Sequence, residues 1–112
     1  MPWVRLLDAN FGSRIDCFAQ GKDVRTCRSD PDGVTDSYAP THNMTSAASA
    51  IVAGAAVALQ GVARNVCGIT LTVEGMRSYL ANREYGTPSR NPEEDRIGVM
   101  PNLPAAIEAL IQ

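Results

Sequence analysis

TSAASAIVAGAAVALQGVA, residues Thr45 to Ala63, is the stretch whose reading decides the fold. It is small and apolar on every face rather than along one stripe. A helix of that kind is either deeply buried or membrane-spanning. Only Ile51, Val52, Val57, Leu59 and Val62 are strongly apolar, and Gln60 interrupts the run. No basic cluster flanks it closely to set an orientation in a bilayer. The stretch therefore reads as the central helix of a globular domain, wrapped by other elements, with Gly54 suited to a tight crossing. Insertion into a membrane is the lesser reading.

Elements on either side read as cover. Residues 13–28 suggest two short strands around a turn at Gln20-Gly21. Residues 29–43, rich in Asp, Pro, Gly, Ser and Thr, read as a surface loop. A second helix is expected over 72–82, with Thr72 as its cap and Glu74 in its first turn. A charged loop at 83–96 follows. A closing helix opens at Pro104, a residue suited to a first turn, and Ala106, Ile107, Leu110 and Ile111 share its apolar face. The predicted class is α/β, a single partial domain over 1–112: short strands, a buried central helix and two covering helices. These layers are too few to wrap the central helix, so its core needs further segments.

Composition narrows the function. The chain has 112 residues, 45% of them apolar, with 10 basic and 12 acidic side chains and a net charge of −2. This balance gives no electrostatic basis for nucleic acid or an anionic membrane as partner. Aromatic residues make up only 5% of the chain, which argues against base-stacking platforms. Cys17, Cys27 and Cys67 are too widely and irregularly spaced for a zinc site. They read as free buried thiols, with a Cys17–Cys27 bridge as the alternative. No cofactor is expected. The start, Met1 to Asp8, has no charged segment followed by a long apolar one and is not a signal peptide. Met1 reads as a true start or as the cut end of a fragment.

Ser46 carries the candidate chemistry. It sits at the N-terminus of the apolar helix, where unpaired backbone N–H groups and the positive end of the helix dipole lie beside its hydroxyl. Read alone, Ser46 or Thr45 is a helix cap. The wider pattern reverses that preference. Asn43-Met44-Thr45-Ser46-Ala47-Ala48-Ser49-Ala50-Ile51-Val52-Ala53-Gly54 resembles the serine motif of the subtilisin-like proteases, Asn/Gly-Gly-Thr-Ser-x-Ala-Ser/Ala-Pro-x-Val-Ala-Gly. Upstream, Gly12-Ser13-Arg14-Ile15-Asp16-Cys17-Phe18-Ala19-Gln20-Gly21 is similar to the family's Gly-x-x-(Ile/Val)-Asp-x-x-Ala-Pro-Gly segment. Leu71 to Leu80 falls where the family has the helix after the serine helix. Ile97-Gly98-Val99-Met100-Pro101-Asn102-Leu103 resembles its closing segment. The likeness runs from about residue 10 to the end.

The resemblance implies the C-terminal part of a three-layer subtilisin-like catalytic domain, with peptide or protein as substrate. Ser46 would be the nucleophile of an Asp–His–Ser triad, and its own backbone N–H an oxyanion donor. Thr45 would be structural, and Ala48, Ala53 and Gly54 would allow close packing. Relatives are often secreted. Departures from the motif are specific. Met44 stands where the family has glycine, a residue free to adopt backbone conformations denied to others. Ala50 and Gln20 replace prolines. The catalytic Asp and His motifs, which lie N-terminal in the family, are absent, as is the side-chain amide of the oxyanion hole. His42 reads as a loop histidine rather than a local base, and Asp30, Asp32 and Asp36 as solvated.

Three functions follow as expectations. The first is a serine endopeptidase whose Asp and His come from the missing N-terminal part of its domain. The second is a non-catalytic remnant or interaction module. The third is a small membrane-anchored protein using residues 45–63.

Overall fold

The computed structural model describes residues 3–112, so the reading of Met1 lies outside the described residues. The helices follow their local signals closely. Helix α1 spans Met44–Val62 and runs on through a π-helical turn at Ala63–Cys67. Gly68, at φ +70, closes it in the left-handed conformation that glycine adopts without steric cost. Helix α2, Val73–Leu80, is capped by Thr72, whose hydroxyl accepts from the Gly75 N–H at 3.0 Å. A short turn of helix, α3, covers Pro92–Asp95 inside the expected charged loop. Helix α4, Leu103–Ile111, begins one residue before Pro104, with the Asn102 side-chain oxygen accepting from the Ala105 N–H at 3.1 Å.

The strands differ more from expectation. Only Val24–Cys27, β1, is a strand within 13–28. Its antiparallel partner, β2 at Tyr38–His42, comes from the stretch expected to be loop. A second two-stranded sheet pairs β3, Thr87–Pro88, with β4, Val99–Met100. Instead of forming a strand of a hairpin, Cys17 makes an isolated parallel bridge to Val99. The result is a mixed α/β chain with two small sheets.

The core lies at the C-terminal end of α1. Leu59, Leu80 and Ala106 are buried there, from α1, α2 and α4, ringed by partly buried residues such as Val52, Leu71, Tyr79 and Leu110. Gln60, the polar interruption in the apolar run, has a defined task. Its amide oxygen accepts from the Leu71 N–H at 2.8 Å and its amide nitrogen donates to the Leu71 carbonyl at 3.1 Å. That clamp satisfies backbone groups in the link between α1 and α2.

The expected wrapping of α1 on all sides is not found. Along the 19 residues of α1, only Ala47 and Leu59 are buried. Ile51 is 42% exposed and Val57 74% exposed. A Cβ at Gly54 would meet nothing within 4 Å, so no element crosses there. Helices α2 and α4 cover one side and leave the other open, as too few layers would. The run Met44–Cys67 is long and apolar enough to cross a membrane by length and composition. The thiols also correct expectation: all three are free, but Cys27 is exposed and Cys17 and Cys67 are only half-buried.

Candidate active site

Ser46 is exposed in the first turn of α1, at the positive end of a long helix with no acidic residue in its opening turn. Asn43 is the N-cap by backbone position, with extended φ −126 and ψ 169, yet it makes no side-chain cap. The next residue, Met44, has φ +73. This left-handed conformation costs a residue with a Cβ roughly 1–2 kcal/mol, and glycine avoids the cost. The chain therefore turns into α1 through a glycine-type corner occupied by methionine, whose side chain stays 43% exposed.

Hydrogen bonds from distant segments hold that corner. The Met44 N–H donates to the Gly21 carbonyl at 2.6 Å. The Asn43 side-chain oxygen accepts from the Asp23 N–H at 2.8 Å. The approach is close: a Cβ at Gly21 would sit tightly, 3.3 Å from the Met44 carbonyl oxygen.

The other end of the Gly12–Gly21 segment meets the closing segment. Gly12 N–H donates to the Arg96 carbonyl at 2.8 Å, and Phe18 N–H to the Val99 carbonyl at 3.0 Å. Gly98, at φ +73, lies so close to the Asp16 carbonyl that no Cβ fits between them. Residues 12–21 thus form a bridge, with the serine corner at one end and residues 96–99 at the other. Arg77 of α2 ties the bridge to the helices. Its Nε lies 2.7 Å from Asp16 Oδ2, and a second guanidinium nitrogen donates to Oδ1 at 3.0 Å.

The arrangement leaves backbone donors free beside the Ser46 hydroxyl. Thr45 and Ser46 belong to the opening turn, whose N–H groups have no carbonyl one turn back, and no side chain caps them. Such donors stabilise an oxyanion developing beside the hydroxyl. Proton removal is not provided for. His42 is exposed at the end of β2, paired through its backbone with Val24, and shares no hydrogen bond with Ser46 among the described residues. Asp32 and Asp36 are exposed; Asp30 is half-buried and turns its carboxylate to the Asp32 N–H at 2.8 Å. Cys17 is no substitute nucleophile, because burial, and then the charge of Asp16, push its thiol pKa up.

Among the described residues, no group of three or more His, Cys, Asp or Glu side chains gathers as a metal site requires. A groove of about 440 Å³ beside Gly12, Arg83 and Arg96 does not include Ser46 in its wall. The residues that sequence reasoning passed over are Asn43 and Asp23. Asn43 stood in the quoted motif, but nothing local indicates that its side chain turns away from the helix. Comparison of the chain with protein-family models, curated proteins and solved structures finds no match.

Proposed function

We propose that this chain is the serine-bearing part of a subtilisin-like endopeptidase. Ser46 is its nucleophile, and the acid and base of the triad come from chain outside these 112 residues. One observation carries the reading. Met44, where the motif calls for glycine, adopts φ +73, a backbone state natural to glycine. Support also comes from the assembly of three separated segments around the Gly12–Gly21 bridge. The open side of α1 is consistent with a partner segment that would complete the core.

In the reaction, a His would take the Ser46 proton as the hydroxyl oxygen attacks the scissile carbonyl, and the Ser46 N–H would meet the oxyanion. The leaving amine would depart with that proton, and water would then release the acyl group from Ser46. A fluorophosphonate probe on the folded protein, joined to the segments that supply Asp and His, tests this. Labelling at Ser46 that disappears in Ser46→Ala is expected. An unlabelled Ser46 in the folded, complete protein overturns the assignment. The 112-residue chain alone is expected to show no peptidase turnover, because a serine hydroxyl without its base is a weak nucleophile.

Met44 itself favours the second reading, a non-catalytic descendant of the same fold. A side chain at the glycine position crowds the ground that substrate would occupy. Met44→Gly in the complete protein separates the two. A large gain in labelling from near zero marks the wild-type chain as silent, whereas unchanged labelling marks methionine as tolerated.

A further inference from the structure

We infer that Asn43 is a positioning residue for Ser46: a helix cap diverted from its own helix to lock the serine corner. The inference rests on Ser46 being the functional serine.

An asparagine at an N-cap ordinarily turns its side-chain oxygen to the N–H groups two or three residues on, here those of Thr45 and Ser46. Asn43 does not. Its oxygen accepts from the Asp23 N–H at 2.8 Å, and α1 has no side-chain cap. Asp23 has φ +55 and Met44 has φ +73, so two left-handed corners stand opposite each other. Two hydrogen bonds join them: Asp23 N–H to Asn43, and Met44 N–H to the Gly21 carbonyl. Gln20 stiffens the first corner through a 2.8 Å bond from its side-chain amide to the Lys22 carbonyl. The β1–β2 ladder begins next to them at Val24↔His42 and shifts register before Thr26, so it does not itself fix the corner.

The diversion has two effects with one cause. It holds Met44 in a backbone state that the residue disfavours by itself. It also keeps the cap oxygen away from the opening-turn donors, which stay free for an oxyanion. A conventional cap would occupy one of those donors. The asparagine thus orders the site by bonding elsewhere.

Amide hydrogen exchange of the 112-residue chain, read residue by residue, tests this without reference to catalysis. Asn43→Ala is expected to speed exchange at Asp23 and Met44 by about tenfold and to shift the Ser46 amide resonance, leaving α2 and α4 unchanged. Asn43→Asp keeps an acceptor oxygen and restores protection. Leu59→Ala, a core control, loosens α1, α2 and α4 together rather than the corner selectively. Gly21→Ala presses on the same corner from the opposite side, so it gives the same local pattern and decides the matter if Asn43→Ala does not fold. Unchanged Asp23 and Ser46 amides in folded Asn43→Ala overturn the inference, as does an Asn43→Asp chain indistinguishable from Asn43→Ala. Failure of Ser46 to label in the complete protein would instead overturn the protease reading and leave these exchange results standing.

Discussion

The two ends of α1 are held by different physics. At its C-terminal end, Leu59 is fully buried against α2 and α4, and Gln60 clamps the connecting backbone at Leu71. At its N-terminal end, Ser46 and Met44 are exposed, and the turn depends on two hydrogen bonds to the Gly21–Asp23 corner. One end rests on apolar contact, which does not need exact direction. The other rests on directed bonds around a residue in a left-handed backbone state, which persists only where its surroundings over-determine it. Within one helix, stability and presentation are separated by four turns of small residues.

The largest break in that contrast comes from Leu59→Ala. It should cost about 3 kcal/mol and lower the urea midpoint, because it opens a cavity in a small core. Circular dichroism during urea titration measures it. A loss below about 1 kcal/mol would mean that this end is not the stable one. Next, Thr72→Ala should cost about 1 kcal/mol by uncapping α2. If thermal melts of Thr72→Ala and wild type coincide, the hydroxyl bond to Gly75 carries no weight in solution.

Met44→Gly should act in the opposite direction. Relief of the left-handed strain gains roughly 1–2 kcal/mol, and the freer unfolded chain takes back up to about 1. A small net rise in melting temperature is expected, and a fall would show that the Met44 side chain makes contacts that outweigh its strain.

The smallest effect concerns pH. The Asp95 carboxyl is held below its ordinary range, first by the neighbouring Ser89 hydroxyl, although that hydroxyl makes no hydrogen bond of ordinary geometry, and then, against the opposing effect of burial, by the Arg5 backbone N–H, which donates to Oδ1 at 3.4 Å. A lowered folded value means that the group adds stability above the unfolded carboxyl pKa, and that this is lost as pH falls through the folded value. Its removal by Asp95→Asn should therefore flatten the acid end of the stability–pH curve slightly. An acid limb identical in the variant and the wild type would remove Asp95 from the account.

The helices were legible because their signals are local. Thr72 before an amphipathic stretch, Pro104 in a first turn, and small apolar residues from 45 to 63 act within a few residues of themselves. Strand β2 was not, since Pro40 and its polar neighbours look like loop until β1 is placed beside them. The cover of α1 was legible only in part, as a shortage of layers and not as the side that stays open. An apolar-all-round pattern states what a helix can tolerate, whereas its actual cover depends on how many layers the chain supplies. At the site, the placement of Ser46 in the opening turn was readable, and so was the oddity of methionine at a glycine position. The side-chain direction of Asn43 was not, because its partner lies 20 residues away.

By itself, the sequence determined where the three longer helices start, that a serine opens the longest of them, and that no histidine or carboxylate in a familiar motif accompanies it. Those properties follow from backbone preferences and capping, which are short-range. Tertiary structure alone decided that Gly21 and Asp23 close on Met44 and Asn43, that Gly98 presses against Asp16, and that only Leu59 and Ala47 of α1 are buried. Each depends on contacts between residues far apart in the chain. Such contacts form only when the summed packing of the fold outweighs the entropy of bringing those segments together.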